Sequence, residues 1–216
     1  MLVSGIKSKP VYSPLRADVG GRDHVMLGCG LGGVALLRVL QELEQSSPAA
    51  LRQTNVLFVP GAAIRDSGTS NAASNDASET LDRLRRTELA GLRLFGDTSR
   101  LLAEFRSLLE QSLMGTRVYV AGPESFIGLA MRIAREFNLN KDEIRAEELG
   151  TRARRVYCVH CRTTAEDVRT NIVRCAGCHR WLLVRDHYSR RLAAYMGVMA
   201  DAEAPGELPP IREVYT

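Results

Sequence analysis

The chain is an α/β protein, a parallel sheet covered by helices and followed by a small four-cysteine ribbon. Three observations predict this. Short apolar runs alternate with helical patterns from His24 to Leu149, the pattern of βαβ units with parallel strands and right-handed crossovers. The first run ends in a glycine cluster, Gly28-Cys29-Gly30-Leu31-Gly32-Gly33, which reads as a strand, a tight turn and a helix. Two Cys-x-x-Cys pairs, separated by thirteen residues, stand near the C-terminus.

The elements follow in order. The first twenty residues are polar with Gly and Pro and read as an extended arm. His24–Leu27 is the first strand, and the periodic segment Val34–Leu43 is the helix after the glycines. Asn55–Val59 is a second strand, apolar enough to be buried on both faces. Asp66–Ser78 is nearly all small and polar and reads as a mobile loop. Glu79–Leu89 is a helix with Ser78 as N-cap, Gly91–Phe95 a short strand, and Asp97–Leu113 an amphipathic helix capped by Asp97 or Thr98. Arg117–Ala121 is the clearest strand. It leads through Gly122-Pro123-Glu124-Ser125 into a helix ending near Phe137, and Ile144–Leu149 is a last strand. The ribbon runs from Thr151 to Asp186. A helix from His187 to Met199 follows, with Tyr188, Leu192, Tyr195 and Met199 on one stripe that suits a partner groove or the chain's own lobe. The end, Ala204 to Pro210, is an irregular tail. The division is therefore residues 1–150, an α/β domain with its arm, and 151–216, the ribbon with helix and tail.

Composition sets limits on function. With 216 residues, 45% hydrophobic and 25% charged, the chain has the make-up of a globular protein of one ordinary and one small domain. No apolar run reaches the roughly 18 residues of a membrane helix, and the N-terminus has no apolar core of a signal peptide. A cytoplasmic location is expected. Five cysteines, four of them in matched pairs, argue against a secreted disulfide framework. From Arg145 to Arg191 there are eleven Arg against five Asp or Glu, an excess that suits nucleic acid, an acidic protein surface, a phosphate group or solvent.

Cys158, Cys161, Cys175 and Cys178 are the candidate metal ligands. Two residues between cysteines let both thiolates of a knuckle reach one ion, and two knuckles complete the tetrahedron zinc prefers. Metal binding supplies roughly 10 kcal/mol or more toward folding such a small segment. Four thiolates leave no open position, so the site is structural. Iron in a rubredoxin-like site is the alternative, though the knuckles lack Pro-Gly flanks. His160 and His179 lie beside ligands and are alternative donors. Trp181, the single tryptophan, is expected to pack over the ribbon or at its junction with the main domain.

Glycines after a first strand allow positive φ and close approach of a phosphate to a helix N-terminus. A tight strand-to-helix turn gives the same pattern. Val118-Tyr119-Val120-Ala121-Gly122-Pro123-Glu124-Ser125-Phe126 resembles the Tyr-Val-Cys-Gly-Pro turn in the pyridine-nucleotide lobe of ferredoxin–NADP reductases and phthalate-dioxygenase-type reductases. Met26–Leu37, Asn55–Val59 and Ile144–Leu149 match further segments of that lobe in order, so the likeness spans about residues 24–150. It implies a Rossmann-like sheet of the reductase NAD-lobe type. It also implies that Gly28, Gly30, Gly32, Gly122 and Pro123 hold a nucleotide, with Arg65 near the 2′-phosphate of NADP. Two departures stand out. Val34-Ala35 replace the Thr-Pro of the family's glycine turn, and Ala121 replaces its Cys. The chain is also too short to include the family's flavin-binding barrel and lacks the ferredoxin cysteine spacing. Cys29, at a helix N-terminus, is a candidate reactive thiol or simply a small turn residue.

Taken whole, the lobe is followed by Tyr-Cys-Val-His-Cys, Arg-Cys-Ala-Gly-Cys-His and Asp-His-Tyr-Ser-Arg-Arg-Leu-Ala-Ala-Tyr-Met-Gly-Val. This succession resembles the small subunit of bacterial dimethylamine monooxygenase, the DmmA-like family. The resemblance implies an oxidoreductase of several subunits that demethylates dimethylamine to methylamine and formaldehyde with NADPH and O2. Zinc is expected on this chain and NADPH is a candidate ligand of it. FMN, an iron–sulfur centre and haem are expected on partner subunits, a flavin/iron–sulfur reductase subunit and a haem subunit. This chain would contribute a nucleotide-lobe-like scaffold and a zinc module for partner docking and electron-transfer assembly. No membrane or nucleic-acid partner is expected. No Ser-His-Asp, paired-carboxylate or thiolate-His set emerges, so no catalytic residue is assigned. The alternative reading is a zinc-ribbon regulator that binds nucleic acid through its arginines.

Overall fold

A computed structural model describes residues 8–61 and 72–216, with the backbone alone between 72 and 78. The chain divides into two compact units. One is Tyr12–Gly150. The other joins residues 8–11 to Thr151–Thr216, so the arm is shared between the units at Val11. Arg65 and residues 66–71 of the expected loop lie outside the described residues.

The first unit is a five-stranded parallel sheet of order β3-β2-β1-β4-β5. Its strands are β1 (Asp23–Cys29), β2 (Thr54–Val59), β3 (Gly91–Leu94), β4 (Thr116–Gly122) and β5 (Ile144–Glu148). β1 lies at the centre, paired through Met26↔Val56 on one side and Met26↔Tyr119 on the other. Because side chains alternate faces along a strand, β1 feeds two cores. Val25 and Leu27 point to one core, with Leu101 and Phe105 of α4 (Thr98–Gln111) and Ile127 and Ala130 of α5 (Glu124–Glu136). Met26 points to the other, with Leu36, Val39, Leu40 and Leu43 of α1 (Gly32–Ser46) and Leu84 of α3 (Ala72–Arg86). A short α2 (Pro48–Leu51) precedes β2.

α4 starts where the sequence places its cap, since the Asp97 carboxylate accepts from the Arg100 amide at 2.9 Å. α3 starts earlier than expected. Ala72–Ser78, assigned to a loop on its small polar composition, is its first two turns, because Ala, Ser, Asn and Asp carry no steric bar to a helix once Leu84 anchors the face in the core. The described arm is tied down. The Leu15 amide donates to Glu147 at 2.6 Å, and Leu15 is buried. Asp18 receives Arg117 and Arg145, each at 3.0 Å. Burial opposes ionisation of Asp18, but the Gly20 amide and these two guanidiniums hold its carboxyl below the usual range.

The second unit is a second five-stranded sheet, of order β7-β6-β10-β9-β8. Its strands are β6 (Arg154–Cys158), β7 (Thr164–Val168), β8 (Ile172–Arg174), β9 (Trp181–Ser189) and β10 (Ala194–Met199). The structure corrects the helix expected from His187 to Met199, since these residues are the end of β9, a turn and β10. The spacing of Tyr188 and Tyr195 suits two turns of helix. It also suits a hairpin, in which they are direct cross-strand partners with rings 5.0 Å apart, edge to face. Gly197 favours the hairpin, because a Cβ there would lie 2.8 Å from Val156 on β6, the parallel neighbour of β10. The stripe does not serve a partner groove, since Tyr188 and Tyr195 are buried in this unit's own core with Val156, Val168 and Val184.

Two straps close this core. Ser8 donates its amide to the Asp186 carbonyl and accepts at its hydroxyl from the Tyr188 amide. The C-terminal segment has no regular structure but is anchored, with Thr170 bridged to Glu213 and the Asn171 side chain bonded to Pro210 and Arg212. This sets Tyr215 opposite Tyr195, and the buried Arg154 guanidinium lies between the rings, 3.9 Å from each centroid. Asp186 accepts from Arg154 at 2.7 Å. No helix among the described residues is long and apolar enough to cross a membrane.

Gly32 opens α1 against the backbone of β4, and a Cβ built on it would stand 2.0 Å from the Ala121 carbonyl oxygen. Gly32→Ala must separate helix from strand. It is expected to cost about 3 kcal/mol, read as a lower urea midpoint at unchanged slope.

Candidate functional site

The four cysteines predicted as ligands converge. Their sulfurs lie within 4.8 Å of one another, with Cys158 and Cys178 at 3.8 Å and Cys161 and Cys175 at 3.4 Å. Four sulfurs held roughly 2.3 Å from one ion are about 3.8 Å apart, so the cage has the size of a tetrahedral metal site.

Both knuckles are built the same way. The amide of the first cysteine donates to a carbonyl five residues on, Cys158 to Thr163 and Cys175 to Arg180, each at 2.9 Å. Its carbonyl accepts from the amide four residues on, Arg162 at 2.9 Å and His179 at 3.0 Å. Those two residues have positive φ, +69° and +58°. This winding turns backbone amides toward sulfur. Cys158 Sγ accepts from the Cys161 and His160 amides, Cys161 from the Thr163 amide, and Cys178 from the Arg180 amide. Such donors favour thiolate over thiol, which is the form a metal takes. Burial pushes the Cys158 thiol up to about 11, whereas the Thr163 hydroxyl and amide draw Cys161 down to about 6.

Thr163 is the functional residue that sequence reasoning missed. Its hydroxyl stands 3.3 Å from Cys161 Sγ, and a Cβ on Gly177 of the other knuckle would lie 2.2 Å from it. Its position two residues after the second cysteine was the available signal. His160 and His179 are exposed and outside the sulfur cage. Instead, His160 Nδ1 meets the Arg180 guanidinium at 3.1 Å, linking the two knuckles.

The glycine turn and the Ala-Gly-Pro turn also come together. β1 and β4 are parallel neighbours with Gly28 opposite Ala121. The chain winds outward from β1 to β2 and β3, then crosses to β4 on the other side, so these turns flank the switch point where open α/β sheets hold ligands. Gly28, Gly30 and Gly32 lie on one wall; Gly122 and Pro123, the latter the N-cap of α5, lie on the other.

Much of the glycine content serves packing. A Cβ on Gly28 would meet Leu36 and Phe58 at 2.8 Å, and Gly32 abuts β4 as described. The amides of Gly30, Gly33 and Val34 bond to the Val59, Gly30 and Leu31 carbonyls. Cys29 is half-buried, and burial pushes its thiol up, the reverse of what activates a nucleophile. The Glu124 carboxylate, in the first turn of α5, is buried.

Residues 4–144 match the N-terminal domain, and residues 155–198 the C-terminal domain, of the dimethylamine monooxygenase subunit DmmA-like family. The chain belongs to the DmmA-like family. A relative, the heme-dependent oxidative N-demethylase delta subunit of Ectopseudomonas mendocina (strain ymp), is 35% identical over 125 residues, covering 58% of this chain and 71% of the relative. Among solved structures, phthalate dioxygenase reductase is 18% identical, with a TM-score of 0.41 over 70% of this chain and 45% of that one. Flavohemoglobin from Malassezia yamatoensis is 18% identical, with a TM-score of 0.40 over 61% and 32%. This DmmA-like chain thus spans less than half the length of those two proteins.

Thr163→Val removes the hydroxyl beside Cys161 and keeps the shape. Outer-shell donors typically carry 10- to 100-fold in metal affinity. The variant is expected to bind zinc about 10-fold more weakly in a chelator competition, and both proteins should weaken as pH falls from 8 to 6 and protons compete for the thiolates.

Proposed function

We propose that this chain is a subunit of a haem-dependent oxidative N-demethylase assembly, in which it supplies a structural zinc module and the nucleotide-lobe scaffold. The supporting observation is the match of both DmmA-like domains, in order, around a four-sulfur cage of tetrahedral size. The reaction of such an assembly takes dimethylamine, O2 and the two electrons of NADPH, with a proton, to methylamine, formaldehyde, NADP+ and water. In this reading FMN, an iron–sulfur centre and haem are carried by partner subunits, and the four clustered cysteines of this chain hold its zinc, with Cys29 apart.

Zinc fits the residues present. Four soft thiolates with amide and hydroxyl donors on their sulfurs suit a closed tetrahedral ion, which has no open position and does no chemistry on substrate. Its task is to hold β6, β8 and β9 together at the end of the sheet where the knuckles lie. NADPH, in this reading, occupies the switch-point crevice of the lobe. Gly28, Gly30 and Gly32 with Gly122 and Pro123 would hold it, and it would supply a hydride to a flavin on the partner.

The test is reconstitution. The chain is co-expressed with the flavin- and haem-bearing subunits, and formaldehyde release from dimethylamine is measured with NADPH. Omitting this chain is expected to abolish NADPH-driven turnover. Calorimetry on the lone chain is expected to register NADPH binding that Gly30→Val removes. Full turnover without the chain contradicts the proposal.

A further inference from the structure

The knuckle end of the ribbon carries a charge pattern that metal binding does not need. The segments Cys158–Thr163 and Arg174–Trp181 contain Arg162, Arg174 and Arg180 and no Asp or Glu. Three other arginines of this unit have carboxylate partners, Arg154 with Asp186, Arg155 with Glu166 and Arg169 with Asp167. Arg162, Arg174 and Arg180 join no ion pair among the described residues. Arg162 and Arg174 are exposed, and Arg162 is fixed on its turn by the bond from its amide to the Cys158 carbonyl. Arg180 is half-buried and braced by His160. Val159, at the tip of the first knuckle, is 49% exposed beside them.

A divalent ion with four thiolates carries a net charge of minus two. Three arginines exceed this on a rigid frame, Arg174 lying 3.5 Å from the His179 carbonyl and Arg180 braced on His160. Guanidiniums pair with carboxylates in bidentate forks, and arginine around an exposed apolar residue is the make-up of an interface centre. The stretch Thr151–Thr216 has eleven Arg and no Lys, and the knuckle face has one aromatic residue, half-buried Trp181, so it offers no platform for stacked bases.

We infer that the knuckle face, centred on Arg162, Arg174, Arg180 and Val159, docks an acidic protein surface on a partner subunit. The inference rests on the subunit reading above and adds the face and the chemistry of its partner. Arginine forks at fixed positions set the register of docking, and the surplus positive charge speeds encounter with an acidic surface.

The experiment measures binding of the zinc-loaded full chain to the purified partner subunits by calorimetry at 0.05 and 0.3 M salt. The variants are Arg162→Glu/Arg174→Glu and the milder Arg162→Gln/Arg174→Gln, each checked for zinc content and Trp181 emission. The wild type is expected to bind one subunit with affinity that falls steeply with salt. The Glu variant should bind about 100-fold more weakly and the Gln variant about 10-fold, with a shallower salt dependence and zinc retained. If the Glu variant loses zinc, the Gln variant decides. Wild-type affinity in the zinc-loaded variants overturns the docking face and leaves the subunit reading standing. A wild type that binds none of the subunits overturns both. A wild type that instead binds duplex DNA, with the Glu variant losing it, overturns the acidic-protein assignment in favour of nucleic acid.

Discussion

Four sulfurs within 4.8 Å of one another are the constraint on which the C-terminal unit depends. Its apolar core is small, built around Val156, Val168, Val184, Tyr188 and Tyr195, and so few buried side chains give a domain little margin against chain entropy. The cage joins the end of β6 to the turn between β8 and β9, elements distant in sequence. The knuckle geometry exists for the cage, since positive φ at Arg162 and His179 is a strained choice for residues with side chains and is offset by the amides it aims at sulfur. At the other end, the Arg154 guanidinium between two tyrosine rings gives the C-terminal segment its anchor.

The lobe obeys a different constraint. Each buried strand serves two cores, so helices must cover both faces, and the sequence of strands must reverse somewhere. That reversal falls between β1 and β4. The same tight approach that closes the fold, Gly32 against Ala121, also brings the two turns together. Packing and the proposed nucleotide site draw on the same glycines, which is why a glycine cluster alone left both readings open.

Most strands of the lobe were legible because burial on both faces leaves an unbroken apolar run, as in Val118-Tyr119-Val120-Ala121. The clustering of the four cysteines was legible because two knuckles at fixed spacing have few other uses. Three features were not. Ala72–Ser78 has no apolar stripe, and its helix depends on the later turns of α3, where Leu84 reaches the core. Tyr188 and Tyr195 are seven residues apart, a separation that satisfies a helix and a hairpin alike, and only the parallel neighbour β6 against Gly197 decides between them. Thr163 acts through a hydroxyl on a neighbouring sulfur, and its place two residues after the second cysteine gains meaning only once the knuckle brings the two to 3.3 Å.

Zinc K-edge absorption on the purified full chain tests the central claim most directly, because it reads the atoms around the ion. Four sulfur scatterers at about 2.3 Å, with one zinc per chain, are the predicted result. A first shell containing nitrogen or oxygen, or a folded chain that holds no metal with its knuckle cysteines in disulfides, would contradict it.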